Sequence, residues 1–383
     1  MQKDTYDVVV VGGGIVGCSV SYHLARSGLK VALIDKGSVA GEASRAAAGM
    51  LAPLDDKEPD HPLQRLGMAA LHFYDGLHKQ LQQETGIDIE LIDVPTLRLA
   101  FDEQSVARLQ AILIRQQHVL PGLQWLEGDR AREIEPLLPE NALGALLSPY
   151  ERNVQAAQVT LAYAHAAAFR GVNIVEGRLV GRLIRQGQRV VGVETMQGPL
   201  YAQVIVLAAG AWTTQWHSKT PNPPIFPVKG QMMALQAAPG VRLRHTVNAH
   251  GIGGIVPKSD GSIYVGATVE DAGFDSAVTL DGIATLLAAV TKLTPDLCKA
   301  RFIRAWTGLR PASADGLPLI GPSQSAQGLW IAGGHFRDGI LLGPLTGYIV
   351  AELIQQHPIP FGLTLNAFDP DRFGGWNDAT PLT

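Results

Sequence analysis

The stretch DVVVVGGGIVGCSVSYHLARSGLKVALID, residues 7–35, decides the fold. An apolar run leads into glycines, a helical pattern follows, and a second apolar run ends in an acid. That order describes a dinucleotide-binding βαβ unit. Gly12 permits the tight turn, and Gly14 lets backbone N–H groups approach a pyrophosphate. Gly17 lets the helix pack on the sheet, and the positive end of the helix dipole faces the phosphates. Asp35 closes the second strand, where a carboxylate can accept both hydroxyls of a ribose. A glycine motif alone is weak evidence. Here the strand before it, the helix after it and the acid about 20 residues on agree with it. The motif does not say which dinucleotide binds.

The chain has 383 residues, enough for about two domains. Hydrophobic residues make up 46% and charged residues 17%, with a net charge of −4. No basic patch or arginine-rich run appears, which argues against nucleic acid as a partner. The two cysteines, Cys18 and Cys298, cannot form a disulfide framework or a C-x-x-C site. Cys18 reads as a packing residue. The longest apolar stretch contains the loop glycines, so no integral membrane segment is expected. The N-terminus resembles neither a secretory signal nor a transit peptide, and a reducing cytoplasm fits the cysteine usage. No metal site is expected: His245 and His250 lack a known ligand spacing and read as loop residues.

Further along, residues 63–84, 103–118, 160–170 and 281–293 have helical spacing. Residues 86–101 alternate like strands, and 179–195 read as a hairpin turning at Gln186-Gly187. VIVLAAGAW reads as a buried strand ending in Gly210. From Phe226 to Thr268 the pattern is antiparallel sheet. LWIAG, residues 329–333, looks like a final buried parallel strand, far in sequence from the first βαβ unit. The tail from His357 has little periodicity. The chain thus leaves its dinucleotide domain and returns. The expected class is α/β (α+β overall), a Rossmann-like cofactor domain with an interleaved antiparallel-sheet substrate domain. Residues 1–84, 155–223 and 303–383 are assigned to the first, and 85–154 and 224–302 to the second.

Three further segments bear on chemistry. The small-residue run GEASRAAAGM, residues 41–50, either starts a well-packed helix or leaves room for a flat ring system, with Ser44 and backbone amides supplying hydrogen bonds. GGHFRDG, residues 333–339, is either an ordinary strand-to-helix loop or aims a helix N-terminus at the N1–C2=O edge of a flavin, where negative charge gathers on reduction. TGLRP, residues 307–311, lies on a strand. Period-two counting puts Phe302, Arg304, Trp306, Gly308 and Arg310 on one face. Arg310 is either a surface residue paired with an acid such as Asp315 or a bidentate carboxylate anchor.

With these segments in place, the chain resembles the D-amino acid oxidase superfamily of FAD oxidoreductases. It is most similar to the glycine oxidase branch, which is linked to thiazole synthesis for thiamine. The resemblance rests on VVVVGGGIVGCS, GEASRAAAGMLAP, IVLAAGAW, PVKGQ, IVPK, YVGAT, TGLRPASADGLPLIGP and AGGHFRDGILLGPLTG, which span nearly the whole chain in order. It implies that Gly12, Gly14, Ile15, Val16 and Gly17 hold the FAD pyrophosphate, with Asp35 and Lys36 at the ribose. Ala43, Ser44, Ala48, Gly49 and Met50 would line the flavin side, with Val180 at the adenine end. His335, Phe336, Arg337, Asp338, Gly339, Ile340 and Leu341 would contact the isoalloxazine. Arg310 would grip the substrate carboxylate with Arg337 beside it. Some glycine oxidases carry a pocket tyrosine just before the IVP strand, where this chain has Gly254. Monomeric sarcosine oxidases tether flavin through a cysteine near the segment matching 308–310. None stands there in this chain, so non-covalent FAD is expected.

The reaction expected from the resemblance is hydride transfer from the α-carbon of glycine, sarcosine or a small D-amino acid to flavin N5. Oxygen then takes the electrons as hydrogen peroxide, and the imine hydrolyses to an oxo acid and ammonia. No side-chain base is required. A dehydrogenase passing electrons to a quinone or carrier is the alternative within enzymes. A non-catalytic flavin-binding protein and an NAD-binding sensor are the alternatives outside them. A homo-oligomer is compatible with this reading.

Overall fold

The computed structural model describes residues 5–54, 57–120, 122–216 and 224–376. The first of its two eight-stranded sheets grows from the 7–35 motif. Thr5–Val11 runs parallel to Val31–Ile34 on one side and to Leu200–Leu207 on the other. Asn173–Val175 extends the first side and Leu329–Gly333 the second, both parallel. Leu319–Pro322 closes that edge antiparallel. A hairpin, Val180–Gln186 and Arg189–Thr195, pairs with Leu200–Leu207 and turns at Gly187, whose φ is 60°. The central strands are Val, Ile and Leu on both faces because both faces are covered. Helices Ile15–Arg26, Ala156–Phe169 and Gly339–Ile354 share one core with them. The first and last of these approach so closely that a side chain at Gly347 would overlap Ser19. Ser19 Oγ donates to the Pro344 carbonyl at 2.9 Å, a further bond between the two helices.

The second sheet runs, in spatial order, Arg301–Ser313, Ile225–Gln236, Ser262–Gly266, Gly253–Pro257, Thr246–Ala249, Thr96–Ala100, Gly144–Ser148 and Gln124–Glu127. All neighbours are antiparallel except Thr246–Ala249 with Thr96–Ala100. Helix Leu280–Leu293 buries Leu286, Val290 and Leu293 against Met233, Leu235, Ile263 and Val265. Alternate residues of the same strands, among them Gly230, Met232 and Gly266, therefore face the other way, toward the cavity described below.

Several expectations shift in detail. Of residues 86–101, only Thr96–Ala100 forms a strand, and the remainder contributes a single bridge, Ile92 to Asn153. The 63–84 helix is two, Pro62–Phe73 and Leu77–Thr85, separated at Gly76 with φ 81°. The buried strand before Gly210 stops at Leu207, and Gly210 opens a 3-10 turn. Strand Arg301–Ser313 pairs with Ile225–Gln236 along its whole length, so the limit expected at 302/303 falls inside it. The limit expected at 223/224 touches a segment outside the described residues. Opposite Ala234 and Leu235 that strand carries one extra residue, Ile303. The bulge breaks strict alternation there, so period two holds for Arg304, Trp306, Gly308 and Arg310 but does not carry to Phe302.

Candidate active site

The glycine turn of the 7–35 motif is built as its sequence requires. Gly12 has φ 112°, and a Cβ on it would overlap the Ala208 carbonyl. A Cβ on Gly17 would overlap the Gly12 carbonyl, so helix and turn meet without side chains between them. Ser44 Oγ accepts the Ile15 N–H at 3.0 Å and caps the helix from the small-residue run. Among the described residues the Gly14 and Val16 N–H groups have no protein acceptor, as an anion cradle needs. Asp35 already accepts Gly13 N–H at 2.6 Å and Gly37 N–H at 2.7 Å, one bond per oxygen. Each oxygen keeps a free lone pair for a further donor. Lys36 pairs with Glu42 at 3.5 Å and lies 3.3 Å above the Trp212 ring centroid.

The run 41–50 resolves as one short helix, Ala43–Ala46, then an extended turn at Gly49 with φ 81°. Its small residues are packed from both sides. Trp306 Nε1 donates to the Ala46 carbonyl at 3.0 Å, and a side chain at Gly308 would overlap Ala46. Buried Lys258 donates to the carbonyls of Ala48 at 2.9 Å and Val154 at 2.8 Å, and to Asn153 Oδ1 at 3.3 Å. Burial lowers its pKa to about 8, against the opposing pull of Glu90 and Asp260. Lys258 thus ties the second sheet to the small-residue run.

The returning loop follows strand Leu329–Gly333. Gly334 has φ 77° and Phe336 φ 49°, and a 3-10 turn Phe336–Asp338 feeds the helix starting at Gly339. Tyr74 Oη donates to the Ile340 carbonyl at 2.7 Å. His335 is buried with Nε2 3.0 Å from Thr346 Oγ1, and burial lowers its pKa to about 4, so the ring is neutral near pH 7. Arg337 is exposed and stacks on its neighbour Phe336.

Arg310 is not paired with Asp315, which binds Arg372 at 2.8 Å. Its guanidinium lies across Gly230, where any Cβ would collide with it. Nη1 donates to the carbonyls of Thr268 at 3.1 Å and Lys229 at 3.4 Å. Nε and Nη2 have no protein acceptor among the described residues. Burial, then the nearby Arg337 charge, lowers the pKa of Arg310 to about 10, with Glu270 opposing. It is a cation at neutral pH. Thr268 is held in turn: its Oγ1 accepts Gln231 N–H at 2.7 Å and bonds Glu270. Gln231 Nε2 donates to Glu270 at 2.9 Å and to Thr279 at 2.8 Å.

These parts enclose one cavity of about 1160 Å³. Every residue that the resemblance places at cofactor or substrate lines it, except Gly17, which lies beneath the turn. Neither cysteine lines it, so no thiol is placed to tether a ligand there. The glycine cradle, the free amides, the Asp35 carboxylate and the cavity's size fit a dinucleotide with a ring system at the small-residue run.

Known proteins show the same plan. Residues 7–353 match the model of a family described as FAD dependent oxidoreductase. The chain belongs to this family. It is 35% identical over 360 residues to a glycine oxidase of Geobacillus kaustophilus, covering 94% of this chain and 95% of that one. It is 32% identical over 359 residues to a glycine oxidase of Bacillus licheniformis, covering 94% and 95%. The crystal structure of glycine oxidase from Geobacillus kaustophilus superposes with a TM-score of 0.91 at 33% identity, covering 97% of this chain and 99% of that one. The cofactor is FAD, and the chain is an oxidoreductase. No helix among the described residues is long and apolar enough to cross a membrane.

Residue-by-residue reading of the sequence missed Gly230, Lys258 and Thr268. Each stands in a quoted motif, PVKGQ, IVPK or YVGAT, yet its place in the site comes from a contact across strands or segments. The recurrence of a glycine or a lysine among strand residues was the available signal.

Proposed function

We propose that this enzyme oxidises a small amino acid at its α-carbon, with glycine, sarcosine and small D-amino acids as the class, and that oxygen receives the electrons. One observation carries the reading: Arg310 is a half-buried cation lining the FAD cavity, with two donor nitrogens that no protein acceptor takes up among the described residues. A carboxylate is the ligand that such a planar fork matches. The names of the two glycine oxidases similar to this chain support the same class.

In this reading Arg310 fixes the substrate carboxylate and so places the α-carbon. The Thr268 and Lys229 carbonyls keep the guanidinium from turning, which spares the entropy cost of orienting it during binding. Arg337 adds positive charge beside the substrate. Buried, neutral His335 is held on Thr346 and moves no proton; the substrate amine loses its own to water. Bound FAD supplies the hydride acceptor and the route of the electrons to oxygen. The products are an imino acid, hydrolysed to an oxo acid and ammonia, and hydrogen peroxide. Ala43, Ser44, Ala48, Gly49 and Met50 bound the ring side of the cavity, and Val180 bounds the adenine side.

The test is anaerobic mixing of the yellow holoenzyme with glycine, followed by peroxide assay in air and a parallel dye-acceptor assay. Bleaching together with peroxide supports an oxidase; bleaching with dye reduction alone makes it a dehydrogenase. Arg310→Ala should retain FAD and weaken carboxylate binding by about 2–5 kcal/mol. An unchanged KM would remove Arg310 from its role.

A further inference from the structure

The floor of the cavity contains a glycine that the protein itself does not need. A row of registered residues crosses the second sheet. Met232 stands opposite Gly266, Gly266 opposite Gly254, and Gly254 opposite Asn248. All four line the cavity that holds Arg310. Gly230 and Gly266 are explained by packing. A Cβ on the first would strike the Arg310 guanidinium, and one on the second would come within 2.8 Å of Met232 Cε. Gly254 is different. Its φ is outside the left-handed region, and a Cβ there would sit 3.5 Å from Asn248 Cβ, 3.6 Å from the Gly266 carbonyl oxygen and 3.7 Å from that of Val247, all ordinary contacts. A glycine inside a buried strand costs stability relative to alanine and often marks close approach of a ligand. Neither backbone geometry nor packing asks for it here.

Beside this gap stands a polar group in search of a partner. Asn248 is half-buried, its side chain lines the cavity, and its carboxamide has no hydrogen-bond partner among the described residues. Arg98, the next residue in the row, is not available to a ligand in the same way. Its guanidinium is held by Glu151 at 2.7 and 3.1 Å and by the Leu54 carbonyl at 3.2 Å. Arg310 bonds the Thr268 carbonyl just past the end of strand Ser262–Gly266, and Asn248 lies two strands further across. At the usual strand spacing that is roughly 10 Å, part of which the Asn248 side chain itself spans.

Resting on the amino-acid-oxidase reading above, we propose that the preferred substrate is larger than glycine. It is an amino acid carrying, on nitrogen or on the α-carbon, a short chain with a hydrogen-bonding end. The carboxylate sits on Arg310, the chain passes over Gly254, and the end meets the Asn248 carboxamide. Gly254 and Asn248 are then the residues that determine specificity.

The experiment measures kcat/KM of the FAD-loaded full-length enzyme. The panel is glycine, sarcosine, N-propylglycine, N-(2-hydroxyethyl)glycine, D-glutamine and L-glutamine. The N-substituted compounds and the glutamines tell which atom bears the chain. In the natural enzyme at least one polar-ended compound should exceed glycine by tenfold or more. Gly254→Leu should cut that ratio at least tenfold, the scale on which a filled pocket discriminates. If the leucine variant does not hold FAD, Gly254→Ala, whose added atom has room, should cut it about threefold. Asn248→Leu should lower turnover of the polar-ended compound more than that of N-propylglycine. Glycine turned over faster than every larger compound would overturn the proposal while leaving the oxidase reading standing. A ratio that neither Gly254 variant changes would overturn it too. If no amino acid reduces the flavin, the oxidase reading itself falls and the proposal with it.

Discussion

The first βαβ unit and the Arg310 corner are both built on glycines that admit no side chain, but for opposite reasons. In the first, Gly12 and Gly17 are constrained by their own neighbourhood, a turn of six residues and the strand beside it. In the second, Gly230 is constrained by a guanidinium 80 positions away in sequence, brought over it by the register of Ile225–Gln236 with Arg301–Ser313. One region encodes its function locally and the other encodes it through sheet pairing. In the proposed function the first holds the cofactor and the second holds the substrate carboxylate.

Gly12→Ala should give the largest effect. The added carbon meets the Ala208 carbonyl in a backbone region that alanine tolerates poorly, so the protein should purify without flavin colour. Retention of stoichiometric FAD, read from absorbance, would break the contrast on the cofactor side. Acid should come next. His335 keeps a pKa of about 4 in the fold, and His23, buried on the first helix, about 3. Unfolded histidine titrates near 6.5, so from pH 6.5 down to 4 the unfolded chain binds protons that the folded chain refuses. Stability should fall through that window, by on the order of 3 kcal/mol for His335 alone. Urea unfolding of the holoenzyme from pH 7 to pH 4 would show it, and His335→Gln should flatten the slope. The Arg310 corner should be silent in this range, since Arg310 loses charge only near pH 10. Gly230→Ala should have the smallest of the three effects. Displacing the guanidinium should cost about 1–3 kcal/mol of substrate binding, read as a higher KM with FAD content unchanged. An unaltered KM would show that the corner has slack that the packing does not suggest.

The contrast also explains what could be read from the chain. Parallel strands 5–11, 31–34, 200–207 and 329–333 are continuous apolar runs, and the Gly12–Asp35 spacing is local, so that half was legible. Arg310 was legible as a strand-end arginine, but its choice between surface and anchor was not, because Thr268, Lys229 and Gly230 reach it only through pairing. Lys258 was invisible for the same reason: its three acceptors come from segments about 100 and 210 residues earlier. Residues 86–95 misled because alternation without partners does not make a strand.

The order of strands in the first sheet has a consequence for how the enzyme is made. Thr5–Val11 leaves the ribosome well before Leu200–Leu207 and Leu329–Gly333, through which the sheet continues. At roughly 5–20 residues per second, the phosphate turn is translated some tens of seconds before the loop at 334–338 exists. During that interval the nascent chain displays the unpaired edges of an unfinished parallel sheet, surfaces that favour association with other chains. Complete closure around the cofactor therefore waits until the loop at 334–338 has been made.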